Sequence, residues 1–346
     1  MTKAPRFPFP RYPRGWFQVA YSDEIAPGQS LPLKYFGKDL VIFRGESGKL
    51  TVLDAHCPHL GAHLGHGGKV VGESIVCPFH AWEFGETGAC TKVPYATRIP
   101  QRASVACWPV VERNRQVMVW HDVDKAPPSW EVPEIPESNE EEWTPYWRKR
   151  WQIRSHNQEM AENVVDTAHF KYVHGMKIIP EPHIVEANAP HLRMVTKTIV
   201  EAGGQDHAGE LAVDCMGFGF STSRFTGLVR TTVLASVTPI DDEMLDVRFS
   251  FAVHKEHGAD VAKGIGKAFA REIARQLEED KPIWEHKVFH ERPMLCDGDG
   301  PIGVFRKWCK TFYPDWYVEQ SLRDFRRAHG LGAQEPNTSV SSEAAS

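Results

Sequence analysis

A chain of 346 residues, 41% hydrophobic and 25% charged, is long enough for two ordinary domains with proper cores. Its 45 acidic and 40 basic residues leave a net charge of −5 without long single-sign runs, which excludes a nucleic-acid footprint and a polybasic membrane anchor. No window approaches the roughly 18 continuous apolar residues of a spanning helix. The opening MTKAPRFPFPRYPRGW lacks the apolar core of a secretory signal, so the seven cysteines read as thiols or metal ligands of a cytoplasmic protein.

Residues 1–15, rich in Pro and Arg, read as an extended arm. From Trp16 to about His121, short apolar runs such as Leu40–Phe43, Leu50–Leu53 and Gln116–Trp120 alternate with glycine-rich turns, the pattern of a small antiparallel all-β domain. Within it stand Cys57-Pro58-His59 and, after 17 intervening residues, Cys77-Pro78-Phe79-His80. Zinc also accepts two thiolates and two imidazoles, but zinc modules usually pair like with like along the chain, whereas each turn here supplies one of each. Two thiolates on one iron and two imidazoles on the other form the ligand set of a Rieske [2Fe–2S] centre, whose neutral imidazoles raise the potential. His56, His63 and His66 lack partners at ligand spacing and read as solvated loop residues. Cys90 and Cys107 read as packed thiols, and Trp82 as a cover over the ligand loop.

Residues 122–142, with four prolines and an acidic cluster, have the composition of a solvated linker. A second domain over 143–330 opens with a helix expected from about Ser155 to Tyr172. On it Glu159, Asn163, Asp166 and His169 recur at steps of four and three and share a face. His174 lies roughly 140° round an ideal helix from His169, so both reach one metal only if the helix distorts or ends between them; Gly175 suits an ending there. Two histidines and a carboxylate on one side of a metal, with other positions open, is how non-haem Fe(II) oxygenases hold iron.

Strands are expected at His191–Val200, Gly209–Ser221, Leu228–Pro239 and Glu243–His254, with Phe218, Phe220 and Phe225 on a wide apolar face. A helix from about Gly258 to Glu279 follows, with Val261, Ile265, Phe269, Ile273 and Leu277 on its buried stripe. Asp280 continues that stripe, where an unpaired carboxylate is costly, and Pro282 is expected to end the helix beside it. Asp280 is therefore the expected third metal ligand, with Glu285 as the alternative. Residues 331–346 are polar and Ser/Ala-rich, an expected disordered tail.

The two constellations together resemble the terminal oxygenase (alpha) component of Rieske non-haem iron oxygenases across nearly the whole chain. CPHLGAHL and CPFHAWEF carry the first half of the resemblance; Asn163, Asp166, His169 and His174 fit the Asn-x-x-Asp-x-x-His-x4-His run of the second. Respiratory-chain Rieske proteins add a disulfide between the ligand loops and a Ser that bonds a cluster sulfur. Here Ala62 and Phe79 replace those cysteines and Ala81-Trp82 the Gly-Ser, which implies a potential near the low end of the range, about −150 mV. Ala81 departs from the Gly of many oxygenase relatives. The resemblance implies that Cys57, His59, Cys77 and His80 hold a [2Fe–2S] cluster and that His169, His174 and Asp280 hold mononuclear Fe(II). It also implies that Asp166 bridges to His80 of a neighbouring subunit in a head-to-tail homotrimer. The stretches CTKVPYATRIP, VWHD, IWEHKVF and RPMLCDGDGPIGVFRKWCKTFY are similar to 3-ketosteroid 9α-hydroxylase oxygenases and Rieske cholesterol 7-desaturases.

The fold expected is α+β: an all-β cluster domain, then a helix-flanked antiparallel sheet of helix-grip (START-like) form. The function expected is O2-dependent hydroxylation of a bulky apolar substrate, a steroid or sterol, with Asn163 and Asp166 as catalytic residues beside the metal ligands. No Gly-x-Gly-x-x-Gly fingerprint is apparent, so a separate NAD(P)H-dependent reductase is the implied partner. Desaturation and O- or N-demethylation would use the same site. An electron carrier without catalytic iron is the alternative of another class.

Overall fold

The computed structural model describes residues 4–202 and 204–331; the expected tail lies, beyond Leu331, outside them. Short β-branched and aromatic runs punctuated by turns form the strands of the first half: β1 (Gly15–Tyr21), β2 (Ser30–Tyr35), β3 (Lys38–Arg44), β4 (Leu50–Asp54), β5 (Lys69–Val71), β6 (Ser74–Val76), β7 (Glu83–Phe84), β8 (Cys90–Lys92), β9 (Cys107–Trp108), β10 (Val110–Arg113) and β11 (Gln116–His121). They make three antiparallel sheets, ordered β1-β11-β10, β2-β3-β4-β9 and β5-β6-β7-β8. Val41, Phe43, Leu53, Leu64, Ile75 and Phe84 fill the space beneath the two Cys/His loops, which leave β4 and β6.

The second half begins with β12 (Trp147–Arg154). Short helices α1 (Asn157–Ala161) and α2 (His169–Tyr172) follow, then β13 (Pro182–Asn188), β14 (His191–Ala202), β15 (Gln205–Met216), β16 (Ser221–Phe225), β17 (Thr231–Pro239) and β18 (Met244–Val253). These seven strands form one antiparallel sheet, ordered β12-β18-β17-β16-β15-β14-β13. Helix α3 (Ala259–His286) lies against β12 and β18. Its tightest face is not quite the expected stripe: Val261 is exposed, while Ala262, Gly266, Ala270 and Leu277 are buried. The small residues allow close approach, since a Cβ on Gly266 would stand 1.4 Å from the Trp147 ring. Helices α4 (Ile302–Cys309) and α5 (Asp315–Ala328) return towards the first half, where Phe305, Trp308 and Phe312 share one core with Phe17, Ile42, Val119 and Leu192.

Three expectations are corrected. The helix read from Ser155 to Tyr172 is α1, a 3-10 turn at Glu162–Val164, a non-helical break at 165–168, and α2. Buried charges hold the break: Lys287 Nζ lies 3.0 Å from Glu159, and Arg306 binds Glu162 at 2.7 and 3.2 Å. Gly300 also presses on the break, for a Cβ there would meet the Val165 carbonyl at 1.7 Å. Second, residues 122–142 are not a solvated linker. Val132, Ile135 and Glu137 are buried, Glu137 accepts from Arg224 at 2.6 and 3.2 Å, and Trp130 packs on Trp120 and Phe312. Its prolines hold an extended course that needs few backbone partners while its apolar side chains fill the seam. Third, Pro282 does not end α3, which runs on to His286.

The halves are also joined by charge. Fully buried Asp246 accepts from Tyr35 Oη at 2.5 Å, Arg150 Nε at 2.6 Å and Arg248 Nε at 3.0 Å. Burial alone would lift its pKa, but the guanidinium and phenol donors outweigh it and hold the carboxyl below its usual range. Its contribution to stability is therefore complete above about pH 4 and is lost as the pH falls further. Asp246→Asn leaves buried Arg248 with only the more exposed Glu24, at 3.3 Å, as counter-charge and is expected to cost about 3 kcal/mol, measured by urea unfolding at neutral pH.

Candidate metal centres

The two Cys/His loops repeat one backbone device. Cys57 N–H donates to the Ala62 carbonyl (2.9 Å) and Gly61 N–H to that of Cys57 (3.0 Å); Cys77 N–H donates to Trp82 (2.8 Å) and Ala81 N–H to Cys77 (3.0 Å). Both fourth-after-cysteine residues take the left-handed conformation, Gly61 at φ 79° and Ala81 at φ 57°. The Ala81 methyl therefore carries a strain of about 1 kcal/mol. Ala81→Gly is expected to stabilise the second loop by about that amount, seen as slower loss of the cluster's visible absorption on heating.

Cys57 and Cys77 are buried, and the His59 and His80 rings lie 4.7 Å apart. Trp82 stacks on His59 at 4.7 Å and 7° and donates its Nε1–H to Tyr95 Oη at 2.8 Å, so it covers the ligand loops as expected. His59 Nδ1 is buried and has no hydrogen-bond partner among the described residues. Such an orphaned nitrogen, beside a second imidazole and in loops that carry two buried thiols, fits a metal cluster. Two minor expectations fail. Cys107 is exposed because β9 is a two-residue strand at the sheet's edge, and His63 is half-buried, its Nδ1 accepting from Gly65 N–H at 3.0 Å.

The second constellation assembles where the helix breaks. The Nδ1–H of His169 donates to the Asp166 carbonyl, leaving Nε2 for a metal. His174 turns Nδ1 to Glu279 Oε2 (3.0 Å) and Nε2 to Asp280 Oδ2 (3.4 Å). One donor atom from each of His169, His174 and Asp280 lies within 4.8 Å of the others. Burial alone would lower the pKa of His174, but Asp280 and Glu279 outweigh it and raise it, so the ring sits where a cation is welcome. Asn163 Nδ2 donates to Asp280 Oδ2 at 3.1 Å, and Trp284 Nε1 donates to Asn163 Oδ1 at 3.3 Å. The Asp166 carboxylate is half-buried and has no partner among the described residues.

Helix α3 runs past Pro282 to His286, so Asp280 lies within it rather than at its end. The N-terminal arm caps the end beyond Pro282: Arg6 donates to the carbonyls of Trp284 (2.5 Å), Lys287 (2.7 Å) and Arg154 (2.9 Å), satisfying groups at the helix end. Glu285, the alternative, lies outside this donor set and accepts from the Arg154 backbone N–H at 3.4 Å. Glu279, which helical spacing turns away from the Asp280 stripe, nevertheless reaches the outer nitrogen of His174, and Trp284 escaped the sequence reading. Trp284 stands one helical turn after Asp280, a spacing that was visible.

An apolar cavity opens onto the three donors. Val213, Phe218, Phe225, Val233, Val237 and Phe249 contribute its apolar wall. Phe220 faces the other way, packed with Trp16 and Met118, because it precedes β16 on the far side of a turn.

An electron-carrying cluster domain and an iron site with free positions, built into one chain, define the Rieske non-haem iron oxygenases. Residues 15–109 match the Rieske [2Fe-2S] domain and residues 119–313 the 3-ketosteroid 9α-hydroxylase C-terminal domain. The chain belongs to that family. It is the oxygenase component of an O2-dependent monooxygenase, with a [2Fe–2S] cluster and mononuclear iron, and it depends on a separate reductase.

A 3-ketosteroid-9-alpha-monooxygenase oxygenase component of Rhodococcus rhodochrous is 34% identical over 334 residues, covering 92% of this chain and 85% of its own. A cholesterol 7-desaturase of Xenopus laevis is 32% identical over 332 residues, covering 88% and 72%. Two solved structures share the fold at 18% identity: NdmB of Pseudomonas putida CBB5 (TM-score 0.69, 90% of this chain and 94% of that one) and dicamba monooxygenase bound to dicamba (0.66, 92% and 97%). Among the described residues no helix is long and apolar enough to cross a membrane.

Proposed function

We propose that this chain hydroxylates a C–H bond of a steroid or sterol. The observation that carries the reading is the apolar cavity that ends on His169, His174 and Asp280. The relatives named for 3-ketosteroids and for cholesterol support it. In this reading His169 and His174 offer Nε2, and Asp280 a carboxylate oxygen, to iron, while Cys57, His59, Cys77 and His80 hold the cluster. Iron so held supplies O2 reduction and the oxidising power for the C–H bond.

The chain's own residues do the rest. Asn163 ties one Asp280 oxygen and is itself oriented by Trp284, so the carboxylate cannot swing away. Glu279 and the Asp166 carbonyl fix the two imidazole planes. The apolar wall excludes water and keeps the substrate against the metal end. The free Asp166 carboxylate is available to His80 of a second copy in a homotrimer, and the electron source is an NAD(P)H-dependent reductase in the same cytoplasm.

The test is turnover of a panel of 3-ketosteroids and sterols by the reductase-supported enzyme under 18O2. A product carrying one 18O is expected. If no steroid in the panel is consumed, the substrate class is wrong. The cholesterol 7-desaturase likeness favours desaturation as a second reading, and a product lacking two hydrogens without gaining 18O would establish it.

A further inference from the structure

The cavity has two ends that packing tells apart. Leu277 and Trp284, which flank Asp280 on α3, pack with Val247, Leu245 and Val237, so this is the metal end. Phe269 and Ile273, further back on α3, pack with Val233, Phe251 and Phe225 and form the far end. From Asp280 to Ile273 is about 10 Å at helical rise. From Val237 to Val233 along β17 is about 13 Å at strand rise.

Polar groups are sparse along this slot. Asn157 belongs to the metal end, its Nδ2 donating to the Val237 carbonyl at 2.8 Å, and the Gln276 amide is turned to Glu272 at 2.9 Å. Ser221 and Ser223 differ. They alternate on β16, so both face the cavity with Phe225, opposite Ala235 and Val233 of β17. Both are half-buried, and neither hydroxyl has a hydrogen-bond partner among the described residues. Ser223, level with Val233, is at the end away from the metal; Ser221 is one rung nearer.

We infer that Ser221 and Ser223 are specificity-determining residues that bind an oxygen at the far end of a rigid polycyclic substrate. A hydroxyl in an apolar wall gains most from a partner that brings its own oxygen, whether oxo or alcohol, because no water need then enter. The distance of about 10–13 Å between the two ends is close to the length of a fused four-ring skeleton. An oxygen anchored on the serines thus fixes which carbon stands over the metal donors. This inference rests on the steroid reading and adds to it the feature that sets register.

The experiment compares holoenzyme with the S221A/S223A double variant, using androst-4-ene-3,17-dione and its 3-deoxy and 17-deoxy counterparts as ligands. Affinity is measured by titration, and retained cluster absorption and iron content serve as fold controls. The variant is expected to bind the dione and one deoxy counterpart about tenfold more weakly, and the other, which lacks the anchored oxygen, with unchanged affinity. Its product from the dione should spread over more than one position. Equal weakening of all three, or of none, overturns the anchor while leaving the steroid reading intact. Should the unmodified holoenzyme bind none of the three, the steroid reading falls and the anchor with it.

Discussion

Asp280→Ala is expected to remove one iron per chain, keep the cluster's visible absorption, and lower turnover by at least about 10³-fold. Asp280 is the only charged member of the donor set, so its loss leaves two neutral imidazoles facing a dication. Neighbouring carboxylates do not replace it, because Glu279 faces the outer nitrogen of His174 and Glu285 the Arg154 backbone. Asn163 would keep its bond to Trp284 but lose the carboxylate it orients. Iron analysis beside an absorption spectrum is the decisive measurement. A variant with its full iron complement would show that another group holds the metal.

Asp166→Asn should have the second-largest effect through a different route. Its contribution to His169 is a backbone carbonyl, which the substitution preserves, so both metal centres should stay loaded. What changes is a half-buried carboxylate with no partner among the described residues. If that carboxylate meets His80 of a second copy, turnover should fall at least about 100-fold with unchanged iron content and unchanged size on gel filtration. Full activity in the variant would sink the proposed contact, and a shift to monomer would assign the residue to assembly alone.

The parts of this site that were legible in the sequence are those fixed by local chemistry. Mixed Cys/His pairs in turns and the two imidazoles after Asn163 can be read from spacing, and Asp280 from its place on an apolar stripe. The parts that were hidden depend on distant side chains. The break after Glu162 is held by Arg306 and Lys287, and the end of α3 beyond Pro282 is capped by Arg6. β12 and β13 carry many charged or exposed residues and lack the alternation of the central strands, so only their place in the sheet reveals them. The acidic, proline-rich 122–142 stretch looked solvated because nothing nearby announces Arg224, the partner of its buried Glu137.

Arg6 grips carbonyls 278 and 281 positions further along the chain. On the ribosome the arm emerges long before the helix it clasps, so that clasp cannot close until α3 has been made. The cluster domain is able to mature early, whereas the end of α3 that carries Asp280 and Trp284 gains its brace only once that helix has been made. A bulky fusion placed ahead of the arm would interfere at that late step, and such a preparation should emerge brown from its cluster yet poor in the mononuclear metal.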